Sequence, residues 1–183
     1  DGLGAIELSY VATTAASWTY LWPMIVGGLL LGAGFIVSGY CPGTSAVAAA
    51  AYAGIPLTHR KLTATLAFVT GHEDPHKEES SIDWESLARG IGTLVFLMGI
   101  NNLPDITQKL IANGRSPETP VALIRWGTTP SQTTVTGTLD SIAKQAKKVD
   151  LKPPAIIVVG EVVQLRNTLK WFEKRPLLGR RIV

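Results

Sequence analysis

The sequence predicts an α/β fold: a mixed, mostly five-stranded sheet with flanking helices, preceded by an apolar, membrane-type helix. Three observations carry that prediction. Short β-branched runs alternate with amphipathic stretches throughout the last two-thirds of the chain, the pattern of strands separated by helices. One run, residues 93–99, is apolar on both faces, as expected when a sheet is covered on both sides. Between Glu7 and Arg60 there is no Asp, Glu, Lys or Arg, so two physical regimes share one chain.

At 183 residues the chain has room for one domain and an appendage. A net charge of +3, spread thinly and without a basic cluster interleaved with aromatics, gives no nucleic-acid footprint. A single cysteine excludes an internal disulfide framework and a cysteine-rich metal site.

Residues 18–40 are apolar, with Trp18, Tyr20 and Trp22 at one end and Tyr40 at the other. About 20 such residues cross a bilayer core, and aromatics favour its two interfaces. Gly28 and Gly32 form a Gly-x-x-x-Gly pair suited to close helix approach. Acidic residues before the segment and Arg60-Lys61 after it favour a cytoplasmic C-terminal side. The other reading is a buried segment of a globular core. From Pro42 the chain turns into a small-residue helix, then a loop bounded by Pro56 and ending at His59 and Arg60.

The elements after that follow in order. Residues 65–71 form a short buried strand, and 72–81 an exposed connection with Pro75. Asp83 caps a helix over 84–88. Strand 93–99 is followed by a helix over 103–113, closed by Gly114. Strand 121–126 is stopped by Gly127. Residues 132–139 alternate and are β-branched, which marks an edge strand and the antiparallel exception. A helix with a lysine-rich face spans 141–149, strand 155–159 ends at Gly160, and an amphipathic helix spans 161–172.

Three strands thus end in turns with glycine: Met98-Gly99, Trp126-Gly127 and Val159-Gly160. Ligands of open α/β sheets gather beyond the carboxyl ends of strands, where glycine permits close backbone approach. Phosphate-binding loops of the Gly-x-Gly-x-x-Gly and Walker kinds are absent. His72 and His76 sit among Glu73, Asp74, Glu78 and Glu79, but Pro75 denies them a helical frame, so a solvated loop is favoured over a metal site. On pattern alone Met98 reads as core, Cys41 as an inert buried thiol or one left at a turn, and His59-Arg60 equally as loop packing or an anion contact.

Several separated phrases resemble the tetrapyrrole methylase family, in particular the C-terminal part of its uroporphyrinogen-III C-methyltransferases. They include Gly54-Ile55-Pro56-Leu57-Thr58-His59-Arg60, Phe68-Val69-Thr70-Gly71-His72, Gly127-Thr128-Thr129-Pro130-Ser131-Gln132 and Trp171-Phe172. The resemblance covers residues 42–175 and implies transfer of methyl groups from S-adenosylmethionine to uroporphyrinogen III, giving precorrin-2 for sirohaem and cobalamin. It also implies a homodimer in the intact family, a cytoplasmic location, cofactor contacts at Thr44, Ser45, Met98 and Gly127, and a tetrapyrrole cleft lined by His59 and Arg60. No metal is implied. The family's glycine-rich N-terminal lobe has no counterpart in the sequence, so cofactor binding by this chain is expected to be weak.

Residues 18–45, with Gly39-Tyr40-Cys41-Pro42-Gly43-Thr44-Ser45, are similar instead to YeeE/YedE-type importers of sulfur compounds, which would make Cys41 a transport residue and 18–40 an inner-membrane anchor. Residues 174–183 resemble the junction into a fused uroporphyrinogen-III synthase. The expected organisation is a transporter-like segment over 1–41, a methylase lobe over 42–175, and the start of a following domain over 176–183.

Overall fold

The computed structural model describes residues 26–27, 29–30, 42–71 and 81–179. The chain divides into two compact units, 1–41 and 42–183. Within the first, residues 26–27 and 29–30 are helical. The expected membrane helix over 18–40 otherwise lies outside the described residues, as do Cys41, His72 and His76. Among the described residues no helix is long and apolar enough to cross a membrane.

The second unit runs α1 (Pro42–Tyr52), β1 (Leu66–Thr70), α2 (Trp84–Gly90), β2 (Thr93–Leu97), α3 (Leu103–Ala112), β3 (Pro120–Arg125), β4 (Thr133–Thr138), α4 (Ile142–Lys148) and β5 (Ala155–Val159). A 3-10 turn (Glu161–Leu165), a short α5 (Arg166–Leu169) and a second 3-10 turn (Phe172–Lys174) follow. The five strands form one sheet in the order β1-β2-β5-β3-β4.

Residue alternation divides the core between the two faces. Leu94 and Phe96 of β2, Val121 and Leu123 of β3, and Ile157 and Val159 of β5 face the layer of α2, α3 and α4, where Ala88, Leu103, Ile106, Leu110, Ile142 and Ala146 meet them. Val95, Ala122, Ile124 and Val158 face the other way, against Ala46, Ala49, Ala50 and Ala53 of α1 and Val162 and Val163 of the 3-10 turn. Alanines let α1 lie close to the sheet. The run that the sequence marks as apolar on both faces is covered on both sides: β2 is buried at four consecutive positions.

Local chemistry sets the boundaries. Asp83 caps α2 by accepting from the Ser86 backbone N–H at 3.0 Å, and the Ser86 hydroxyl also donates to it. These hydrogen bonds hold the Asp83 carboxyl below its ordinary value. Pro104 opens α3, where a missing N–H is harmless, and its end is closed by the Asn113 N–H on Lys109 O. At the edge, β4 alternates between exposed and half-buried positions, as the sequence predicts.

Two expectations are corrected. Besides β4, β5 also runs antiparallel: β1 and β2 are parallel, but β5 pairs antiparallel with both β2 and β3. The β3–β4 hairpin reverses the chain. Helix α4 then carries it across β3 without reversing it again, so β5 inherits the direction of β4. The second correction concerns residues 161–172, which are not one helix. Phe172 lies nine residues after Val163, about two and a half helical turns, so a continuous helix would place them on opposite faces. Both are buried, and the break after Leu169 permits it. Residues 176–179 form a turn, and the rest of the expected start of a following domain, residues 180–183, lies outside the described residues.

Candidate active site at the carboxyl ends of the central strands

Because β5 is reversed, the three glycine-bearing turns do not share one end of the sheet. Val159 pairs with Leu94 and Val121, near the starts of β2 and β3, so Gly160 stands at the opposite edge from Met98 and Gly127. The carboxyl edge gathers the ends of β1, β2 and β3, with the Pro153-Pro154 approach to β5 between the last two. The Trp126 N–H donates to Pro154 O at 3.4 Å.

Met98 and Trp126 each follow directly on a central strand, and both adopt left-handed backbone, with φ of 54° and 51°. Neither residue type favours that region, which costs about 1–3 kcal/mol where it is enforced. Both side chains are apolar and exposed, Met98 at 67% and Trp126 at 46%. The reading of Met98 as core is thereby corrected: the strand ends at Leu97, and the left-handed turn throws the next side chain out of the sheet. With β5 between their strands, the two residues stand two strand spacings apart, about 10 Å. Thr128 is also left-handed, at φ 71°.

Glycine is required here by proximity. A Cβ on Gly127 would collide with Ala49 Cβ and lie 3.0 Å from Ala49 Cα, so this turn rests directly on α1. A Cβ on Gly71 would stand 2.5 Å from Gly99 Cα. The Gly71 N–H donates to Leu97 O at 2.7 Å, and Asn102 Nδ2 donates to Gly71 O at 2.9 Å, which joins the ends of β1 and β2. Thr44 and Ser45 are exposed in the first turn of α1. Ser45 lies one turn before Ala49, the residue on which Gly127 rests.

His59 and Arg60 lie elsewhere. The His59 N–H donates to Thr63 O at 2.9 Å, and Thr65 O accepts from Thr93 N–H at 3.0 Å, tying this loop to the amino ends of β1 and β2. The Lys61 N–H donates to His59 Nδ1 at 3.3 Å, and Arg60 is exposed. A five-residue strand, about 16 Å, separates this end from Met98. The structure therefore places Gly127 and Met98 at one edge of the sheet and His59 and Arg60 towards the other.

Sequence reading missed Trp126 as a site residue and missed the groups behind it. A large aromatic between a buried strand and Gly-Thr-Thr-Pro was the available signal. Behind the turn, the Thr128 N–H donates to Gln132 Oε1 at 2.8 Å, and Gln132 Nε2 donates to Glu173 Oε1 at 3.4 Å. Glu173 also accepts from Thr134 Oγ1 at 3.2 Å and from Arg166 Nη2 at 2.9 and 2.6 Å. Burial alone would raise the Glu173 carboxyl, but Arg166, Gln132 and Thr134 together hold it below the ordinary glutamate range. Among the described residues no group of His, Cys, Asp and Glu could hold a metal ion.

The chain belongs to the tetrapyrrole (corrin/porphyrin) methylases, whose family model matches residues 41–143. Its relatives include the S-adenosyl-L-methionine-dependent uroporphyrinogen III methyltransferase of Methanosarcina barkeri (strain Fusaro / DSM 804). That protein is 52% identical over 126 residues, covering 69% of this chain and 49% of the relative. A uroporphyrinogen-III C-methyltransferase of Bacillus subtilis (strain 168) is 46% identical over 140 residues, covering 76% of this chain and 29% of its own. Among solved structures, uroporphyrin-III C-methyl transferase from Thermus thermophilus complexed with S-adenyl homocysteine is 34% identical, with a TM-score of 0.53. The match covers 64% of this chain and 50% of that one. The chain spans half or less of the length of these relatives.

Proposed function

We propose that the chain forms the C-terminal lobe of an S-adenosylmethionine-dependent uroporphyrinogen-III C-methyltransferase, acting on the route to sirohaem and cobalamin. The observation that carries this is the pair of exposed, left-handed apolar residues, Met98 and Trp126, at the ends of central strands that are otherwise covered. Two exposed apolar side chains about 10 Å apart, on either side of the start of β5, suit a flat nucleoside with a thioether tail better than a charged metabolite. The relative with S-adenyl homocysteine bound supports the same ligand class.

S-adenosylmethionine, when bound, supplies an electrophilic sulfonium methyl. The lobe's own contribution is position. Met98 and Trp126 offer apolar walls, Gly127 lets the turn seat directly on α1, and Thr44 and Ser45 stand in the first turn of α1. No base of strong character stands at this edge among the described residues, which suits a reaction that depends on proximity and orientation. His59 and Arg60, at the other end of β1 and β2, would meet peripheral carboxylates of the substrate. A large substrate bearing carboxylates around its rim reaches both ends; a small one does not.

The test is complementation. A complete N-terminal methylase lobe grafted ahead of Thr44, in place of residues 1–43, should give a dimer that transfers labelled methyl groups to uroporphyrinogen III. Met98→Ala in that chimera should weaken cofactor use. A folded, dimeric chimera that transfers nothing would overturn the proposal. The resemblance of residues 18–45 to sulfur-compound importers, with Cys41 as the transport residue, rests on sequence alone. Membrane flotation tests it, and recovery only in the soluble fraction would remove the anchor.

A further inference from the structure

We propose that Glu173, clamped by Arg166, is a positioning residue for the Trp126–Gly127–Thr128 turn, acting through the side-chain amide of Gln132. The turn holds two departures from ordinary backbone, one on each side of a glycine, Trp126 at φ 51° and Thr128 at φ 71°. Something outside the turn has to hold it there. The Thr128 N–H can only donate, and an ionised Glu173 can only accept. Gln132 satisfies both with one orientation of its amide: its carbonyl oxygen receives Thr128 N–H at 2.8 Å, and its nitrogen donates to Glu173 Oε1 at 3.4 Å. The flipped amide would set donor against donor at one end and acceptor against acceptor at the other.

Glu173 is held in turn from three directions. Arg166 Nη2 binds both carboxylate oxygens, and Thr134 Oγ1 donates from β4. Through its other nitrogen, Nη1, Arg166 reaches Ala53 O just past the end of α1. The same guanidinium therefore references the turn to α1, the helix against which Gly127 packs. Both members of the ion pair are largely covered, with side-chain exposures of 12% for Arg166 and 26% for Glu173. An exposed pair would contribute little; a covered one with its remaining valences filled fixes geometry. Glu173 lies 41 residues from Gln132 and touches no residue assigned to the ligand, so its role is to set the turn.

The inference rests on the proposed function only where it concerns ligand binding, and the experiment separates the two. Amide exchange at Thr128 is measured by nuclear magnetic resonance in the unliganded full chain. Glu173→Ala and Gln132→Met should each speed Thr128 exchange by about tenfold, the order that one net hydrogen bond supports, while Val95 and Leu123 keep their protection. Glu173→Gln, which keeps an acceptor oxygen for Gln132, should recover part of the protection. If Glu173→Ala fails to fold, Gln132→Met decides, since it leaves the Arg166–Glu173 pair in place. Thr128 exchange unchanged in Gln132→Met, or raised there only in step with Val95 and Leu123, would overturn the proposal. S-adenosylhomocysteine is then titrated into the same samples, where its shifts at Gly127 should weaken in both variants. Absence of any shift in the unsubstituted chain would count against the ligand assignment, with the Thr128 result still standing on its own.

Discussion

The two ends of this sheet are built on opposite principles. At the amino end of β2 the backbone is tied down by side chains, although the buried Thr93 hydroxyl has no partner. Arg115 donates from Nη1 to Ala88 O at 3.2 Å and Ile91 O at 2.5 Å, and from Nη2 to Gly92 O at 2.8 Å. The Gly92 N–H donates to Thr65 Oγ1 at 2.7 Å, and Gly160 N–H to Pro120 O at 2.9 Å. Burial draws the Arg115 guanidinium below its ordinary value, partly offset by the charge of Glu161. At the carboxyl end, apolar side chains point outward from strained backbone, and the hydrogen bonds lie behind the turn. One end closes the fold; the other is held open by forces applied from the rear. That division is what a ligand-binding edge requires, because strain is retained only where neighbouring structure enforces it.

The largest expected effect tests the contact that supports the open end. Gly127→Val should drive a side chain into Ala49 and displace α1, lowering stability by about 3 kcal/mol or more. A thermal melt within a degree or two of the unsubstituted chain would show that α1 does not rest on this turn. Arg115→Leu comes next. It strands three carbonyls at the closed end and should lose about 2–3 kcal/mol in denaturant titration, with ligand shifts at the open end unchanged. Should it instead abolish those shifts, the two ends would not be independent.

Met98→Gly should act in the opposite sense on stability. It relieves the left-handed strain at an exposed position and should raise stability by about 0.5–1 kcal/mol, while weakening S-adenosyl binding. A loss in both would mean that Met98 supports the fold. The smallest effect is on acid behaviour. Glu173 is held below its ordinary value of 4.5, so the stability it contributes is present above that value and is lost as pH falls through its lower, folded value. Acid melts of Glu173→Gln should therefore lose part of the pH dependence below about 4.5. Superimposable acid profiles would mean that the pair with Arg166 adds nothing.

Much of this contrast was legible in the sequence, and the part that was not has a common cause. Alternation placed β4 at an edge, a run apolar on both faces marked β2 as covered on both sides, and Asp83 marked the start of α2, because each signal is local. The direction of β5 was not local: residues 155–159 read the same either way, and only the hairpin and crossover before them set it. Taking Gly160 with Met98 and Gly127 followed from that error. Residues 161–172 carry helical periodicity, yet Val163 and Phe172 both need burial, which a single helix denies. Gly127 and Met98 enter the proposed site through family resemblance, and pattern alone misread the exposed Met98 as core. The link from Glu173 to Thr128 joins positions 45 apart in sequence, and a Glu-Lys-Arg run reads as solvated charge until the fold brings β4 beside it.

The most direct test of the open-edge assignment is a chemical-shift map of the intact chain titrated with S-adenosylhomocysteine, a method that reads weak binding. The expected result is saturable movement of amide signals at Ser45, Met98, Gly99, Trp126, Gly127 and Thr128, with Gly92, Arg115 and Gly160 stationary. Movement concentrated at Gly92, Arg115 and Gly160, or no movement at millimolar ligand, would contradict it.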